Sequence, residues 1–183
     1  MKKIIKLALV LFLISAIVAG VLGVVNELTK DRIAQIAAKK TDEAYAEVLD
    51  AETYDDAKYE GKDTQVQKVS VAKDKDGNAI GYVVETVVTG SQGSITVIVG
   101  VDNDLKCTGI SITESSETSG LGAVASSPSD KGVAFRANFV GQGKDLDLTK
   151  NGGEIDQLTG ATITSNAVVT AVRSAITACE SLG

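Results

Sequence analysis

Between Leu7 and Val25 the chain carries no charged residue, and Ser15 is the one polar side chain in the run. At the helical rise of about 1.5 Å per residue this stretch extends about 28 Å, close to the hydrocarbon thickness of a bilayer. A lone segment in lipid must satisfy its own backbone N–H and C=O groups, which leaves an α-helix as its only fold. A cleaved leader is the competing reading, with Val18-Ala19-Gly20 as a small-residue cleavage site, but the apolar run continues through Val21, Leu22, Val24 and Val25. The segment therefore reads as an anchor that stays. Lys2, Lys3 and Lys6 favour a cytoplasmic N-terminus. Lys30, Arg32, Lys39 and Lys40 weaken the asymmetry, yet long domains translocate largely regardless of charge, so the C-terminal domain is expected outside the cytoplasm.

A chain of 183 residues, 44% hydrophobic and 23% charged, suits one anchored globular domain. The expected division is 1–27 for head and anchor, 28–51 for a stalk helix, and 52–183 for the domain. In the stalk, Leu28, Ile33, Ile36, Ala37, Ala44, Val48 and Leu49 recur at near-helical spacing, a pattern suited to packing on the domain. The acidic stretch from Glu52 to Asp63 has no period and reads as a surface connection. Val66 to Lys73 and Ala79 to Thr89 read as strands around the turn signal Asp76-Gly77. Ile95, Val97, Val99 and Val101 alternate with Thr96, Ile98 and Gly100 as in a half-buried strand, and Leu105 to Thr113 reads as a fourth strand. Val133 to Val140, with Phe135 and Phe139 one helical turn apart, and Ala167 to Cys179 read as helices. The fold class is α+β: a single N-terminal transmembrane helix, then an antiparallel-sheet domain with packed helices.

A net charge of −6, with no Lys/Arg cluster after the anchor, argues against a nucleic-acid partner. The absence of histidine removes Ser-His triads, His-ligated haem, most zinc sites and imidazole bases. Cys107 and Cys179 lie too far apart for a Cys-x-x-Cys motif and are too few for an iron–sulfur cluster. Whether they pair with each other stays open. If this chain moves electrons, an organic cofactor carries them.

Asp156-Gln157-Leu158-Thr159-Gly160-Ala161-Thr162-Ile163-Thr164 leads into the last helix. Taken by residue type alone, Thr162, Thr164 and Ser165 compete to cap that helix, and hydroxyls beside unpaired N–H groups at a helix start suit a phosphate. The stretch also fits D-x-x-[ST]-G-A-[ST]-x-[ST], which resembles the recognition sequence of bacterial flavin transferases. These enzymes move FMN from FAD onto a threonine hydroxyl. The resemblance implies that Thr162 takes the flavin as a phosphoester, flanked by Thr159, Gly160, Ala161, Thr164 and Ser165, while Asp156 helps the transferase recognise the segment. Backbone N–H groups near Thr164 to Ala167 are expected to hold the remaining phosphate charge, and Thr164 and Ser165 to cap the helix.

A second stretch, Glu117-Thr118-Ser119-Gly120-Leu121-Gly122, resembles the E-T-P-G-L-G element of membrane-anchored FMN-binding subunits, with Ser119 where proline is usual. That departure loosens a loop without removing a reactive group. The resemblance places Glu117, Thr118, Gly120, Leu121 and Gly122 with the cofactor. From anchor to C-terminus the order of elements resembles the G subunit of the Rnf ion-translocating ferredoxin:NAD oxidoreductase complex. More distantly it resembles the C subunit of the sodium-translocating NADH:quinone oxidoreductase. The resemblance implies an FMN-binding domain, a covalent phosphothreonyl flavin, no metal, and an electron-relay role that is not catalytic alone. Its implied partners are the other membrane and peripheral Rnf subunits, a flavin transferase and membrane lipid, at the cell membrane as a single-pass protein. Two other readings are a free-standing extracytoplasmic flavin shuttle and a non-redox tethered binding domain whose threonines only cap a helix.

Overall fold

A computed structural model describes residues 2–182, which form two compact units divided between Lys40 and Thr41. The first helix, α1, runs Lys2–Val48. Proline is absent from it and its glycines, Gly20 and Gly23, have open space around them, so nothing interrupts the ladder. Within the first unit every large apolar side chain from Ile4 to Val25 is exposed. In water each would forgo about 1.5–3 kcal/mol of burial, a cost that hydrocarbon surroundings remove. Leu28, Ile33, Ile36 and Ala37, expected to pack, are exposed as well.

The second unit is built on five antiparallel strands in sequential order: β1 Thr53–Ala57, β2 Val66–Lys73, β3 Ala79–Thr89, β4 Ser94–Asp102 and β5 Cys107–Ser115. Short turns join β2 to β3 and β3 to β4, and in the first of them Asp74 accepts from the N–H groups of Asp76 and Asn78. After the sheet come α2, Asp130–Ala137, and α3, Thr162–Glu180. The fold is thus α+β, as the sequence pattern indicates.

Both faces of the sheet are covered, and this explains a departure from expectation. On one face Val168, Val172, Ala175 and Ile176 of α3 meet Val84, Val97, Val99 and Val101, closed at one end by Phe135 and Phe139, whose rings stack edge-to-face at 5.3 Å. On the other, Ala44, Tyr45 and Val48, the last turns of α1, lie against Val83 and Ile98. Strand β4, interior to the sheet, is therefore buried on both sides, not half-buried as its alternation suggested.

Gly100 and Gly109, paired across β4 and β5, make room for the end of α1. A Cβ on Gly100 would stand 2.5 Å from the Val48 carbonyl oxygen. Helix C-termini leave carbonyls unpaired, and here the sheet satisfies them: Thr108 donates to Val48 and the Tyr54 hydroxyl donates to Leu49 at 2.7 Å. Ser111 also donates to the Glu47 carboxylate at 2.8 Å.

Several boundaries differ from the sequence reading. The strand expected over Leu105 to Thr113 runs Cys107–Ser115, because Leu105, at φ 58°, closes the preceding turn with its N–H on the Asp102 carbonyl. The supposed connection from Glu52 to Asp63 contains β1, an edge strand whose exposed charges hid its period, held by the ladder to β2 and by ion pairs Lys73–Asp55 and Lys68–Asp56, both 2.7 Å. The helix expected over Val133 to Val140 is shifted to Asp130–Ala137, because Ser129 caps it by accepting from the Gly132 N–H. Finally, α3 begins at Thr162, so the motif hydroxyls sit inside its first turn, and Ala161 at the N-cap offers no side-chain cap.

Candidate functional site

Three segments meet at the start of α3: the turn Gly90–Gly93 between β3 and β4, the loop Glu117–Gly122 after β5, and the motif itself. Leu158 to Ala161 forms a turn closed by the Ala161 N–H on the Leu158 carbonyl at 3.0 Å, with Gly160 at φ 75°. A side chain at that angle is strained, and a Cβ there would meet Leu121 at 3.1 Å. The Ser165 N–H closes the helix on Ala161 O at 2.9 Å, which leaves the N–H groups of Thr162, Ile163 and Thr164 without carbonyls of their own helix. Sequence reasoning placed the anion-holding N–H groups at Thr164 to Ala167; the helix starts earlier, so the available set moves back by two residues.

The hydroxyls of the motif have different surroundings. Thr164 is buried and donates to Glu117 Oε2 at 2.6 Å. Ser165, also buried, donates to Ala161 O at 2.9 Å and accepts from the Leu158 N–H at 3.0 Å. Neither caps the helix N-terminus as expected; both tie the first turn to its neighbours. Thr162 is half-exposed and reaches only Gln157 Oε1, at 3.5 Å, the limit of a hydrogen bond. Thr159 is exposed.

Glu117 gathers the three segments. Its Oε1 accepts from the N–H groups of Ser91 at 2.7 Å and Gln92 at 3.0 Å, and its Oε2 takes the Thr164 hydroxyl. Burial pushes this carboxyl up, but the hydrogen bonds from Thr164, Gln92 and Ser91 outweigh it and hold it below the ordinary glutamate range. A Cβ on Gly90 would collide with Oε1, and one on Gly122 with Oε2 and the Thr164 hydroxyl.

A cleft of about 360 Å³ opens here, lined by Glu117, Thr118, Leu121 and Gly122 from the loop and by Gly160 to Thr164 from the motif. Ser91 and Gln92 complete it. Sequence reasoning missed both, since the Gly90 to Gly93 run looked like a mere separator. A neighbouring cleft of about 390 Å³ takes Gly120, the other side of Leu121, Asp156, Gln157 and Thr159, with Phe135 at its wall. Ser165 lines neither and lies beneath. Every residue of the two motifs singled out for the cofactor is thus in or under one of two adjoining clefts. Cys107 and Cys179 are elsewhere, in the core, unpaired, and burial pushes both thiols up to about 12.

Residues 90–177 match the model of the FMN-binding domain, and residues 1–48 match that of the RnfG N-terminal region. The G subunit of the ion-translocating oxidoreductase complex of Methanosarcina acetivorans is 35% identical over 181 residues, 96% of this chain and 94% of that protein. The chain belongs to this G-subunit family. Another member, the G subunit of the Na(+)-translocating ferredoxin:NAD(+) oxidoreductase complex of Acetobacterium woodii, is 33% identical across 99% of this chain and 94% of its own. Among solved structures, the C subunit of the Na(+)-translocating NADH-quinone reductase of Parabacteroides distasonis aligns with 61% of this chain and 59% of its own. Its TM-score is 0.48 and its identity 26%.

The two family matches fall on recognisable parts of this G-subunit chain. The N-terminal match ends with α1 at Val48, so it takes in both the apolar helix and the turns seated on the sheet. The FMN-binding match begins at Gly90, in the turn whose N–H groups hold Glu117, and runs through most of α3.

Proposed function

We propose that this chain is the flavin-bearing relay subunit of an ion-translocating oxidoreductase complex, carrying FMN as a phosphoester on Thr162 Oγ1. The observation that carries this is the difference between hydroxyls: those of Thr164 and Ser165 are buried and committed, while that of Thr162 is half-exposed in a cleft beside unpaired N–H groups. The residues fit the group. The N–H groups of Thr162, Ile163 and Thr164, at the positive end of the α3 dipole, would hold an ester phosphate on Thr162. Gly122 and Gly160 keep the walls clear of side chains that would collide with Glu117, Thr164 or Leu121.

When bound, FMN supplies one- and two-electron redox chemistry that no side chain of this chain offers. Attachment forms a bond from Thr162 Oγ1 to the flavin phosphorus and breaks the pyrophosphate of FAD, AMP leaving; a flavin transferase takes the hydroxyl proton. The ester turns a phosphate dianion into a monoanion, easier to place near ionised Glu117 in a chain of net charge −6. It also removes dissociation as a way to lose the cofactor. The charge-free segment from Leu7 to Val25 anchors the domain on the outer side of the membrane and has no ionisable side chain with which to build an ion path of its own. Iron–sulfur and nucleotide sites belong to partner subunits.

Intact mass of the full chain, made with a flavin transferase, tests the assignment. The expected increment is one FMN less one water, mapped to the peptide holding Thr162. An unmodified chain, or an increment on another peptide, overturns it.

A further inference from the structure

We infer that Glu117 is a positioning residue for Thr162 and not a ligand of the flavin, an inference that rests on the reading of Thr162 as the modified hydroxyl. The family resemblance grouped Glu117 with the cofactor-binding residues. Its environment assigns it other work. Oε1 is occupied by two N–H groups of the β3–β4 turn, and Oε2 by the Thr164 hydroxyl from α3. Those partners lie 26, 25 and 47 residues away in sequence, so one carboxylate closes three segments that local structure does not connect.

The geometry explains why a carboxylate stands there. A carboxylate meets this arrangement directly, accepting from two donors on one oxygen and from a third on the other. An ionised acceptor also makes the stronger hydrogen bonds. Gly90 and Gly122 leave space for each oxygen, and any larger residue at either position would displace the carboxylate. Thr164 is two residues beyond Thr162 in the same helical turn. Holding the Thr164 side chain therefore fixes the azimuth of the turn, and with it the direction of the Thr162 hydroxyl and of the unpaired N–H groups. Ser165 restrains the same turn from beneath through Leu158 and Ala161. Thr162 itself has no comparable restraint, its hydroxyl making only a 3.5 Å hydrogen bond to Gln157. Presentation of that hydroxyl to a transferase thus depends on the bolt at Thr164. Orientation is where such an effect should be large, because misplacing a reacting atom by about 1 Å can cost on the order of a hundredfold in rate.

The test uses the full chain with a flavin transferase and FAD, and follows two readouts: the rate of FMN incorporation by intact mass, and hydrogen exchange of peptides spanning 90–93 and 157–165. Glu117→Ala is expected to slow incorporation by about ten- to a hundredfold and to speed exchange in those two segments while β3 and β4 stay protected. Glu117→Gln should recover most of the rate, since its amide oxygen still accepts on the turn side and its NH₂ can donate to a reversed Thr164 hydroxyl. Thr164→Val should slow incorporation in the same direction by less. Wild-type rates and exchange in both Glu117→Ala and Thr164→Val overturn the inference, and so does a Glu117→Gln chain as slow as Glu117→Ala. If Glu117→Ala loses protection throughout the sheet, the Thr164→Val result decides alone. A wild-type chain that accepts no flavin overturns the reading of Thr162 instead, and the exchange readout then judges Glu117 by itself.

Discussion

Two helix ends are fastened to the sheet of this protein, on opposite faces, and they are finished differently. At the C-terminus of α1 the sheet supplies donors to the open carbonyls: Thr108 to Val48 and Tyr54 to Leu49. At the N-terminus of α3 the fastening is through side chains, Thr164 to Glu117 and Ser165 to Leu158 and Ala161, while the N–H groups of Thr162 to Thr164 stay available beside a cleft. One end has its last carbonyls, those of Val48 and Leu49, met by the sheet and serves as a joint. The other leaves its backbone donors open, and on the function proposed above they would hold the flavin phosphate.

The sharpest way to break this comparison is at the two hydroxyls one turn apart. Thr162→Val is expected to abolish covalent flavin while the melting temperature stays near wild type, whereas Ser165→Ala keeps the flavin and loses about 1 kcal/mol, the net value of a typical hydrogen bond. Peptide mass mapping and thermal unfolding of the pair read both. Flavin retained on Thr162→Val would erase the distinction between the ends.

Next in size is the joint. A chain starting at Thr41 keeps Ala44, Tyr45 and Val48 over Val83 and Ile98, while one starting at Ala51 uncovers that face. Two large side chains at about 1.5–3 kcal/mol each predict a difference on the order of 3–6 kcal/mol in urea unfolding, the longer chain remaining competent for flavin. Equal stability would mean that α1 contributes nothing to the domain. A smaller blow at the same place is Gly100→Ala, which drives a Cβ toward the Val48 carbonyl and the Thr108 hydroxyl. Overpacking of this kind costs about 1–3 kcal/mol, and flavin attachment on the opposite face should be unaffected.

The smallest expected effect is in pH. Glu117 has its folded pKa held below the unfolded value, so its contribution is fully present above the ordinary glutamate range and is lost as pH falls through the depressed folded value. Asp74 and Asp147 are lowered for related reasons, Asp74 by Asn78 and Asp147 by Asn151, and titrate with the same sign. Acid unfolding of Glu117→Gln should therefore be less steep than that of wild type, with the remaining slope due to the other carboxylates. An identical acid limb would show that Glu117 is not held ionised by its three donors.

Much of this protein is legible locally. The charge-free run from Leu7 to Val25, the strands Val66–Lys73 and Ala79–Thr89, and the motif around Gly160-Ala161-Thr162 are patterns of adjacent residues, set by backbone sterics and hydrophobic period. What adjacency does not encode is what lies across a contact. Strand β1 has no apolar alternation because its outer side faces water, and it exists through its ladder and ion pairs to β2. Strand β4 is covered twice because the end of α1 returns over the second face, seated where Gly100 and Gly109 pair. Equally, four hydroxyls stand in the motif with nothing in their chemistry to rank them. Their difference comes from Glu117, 47 residues from Thr164, and from the turn at Ser91 and Gln92 that fixes Glu117 in place. Local sequence determined most of the elements and the motif; hydrogen bonding and close packing committed the hydroxyls of Thr164 and Ser165 and left those of Thr159 and Thr162 open.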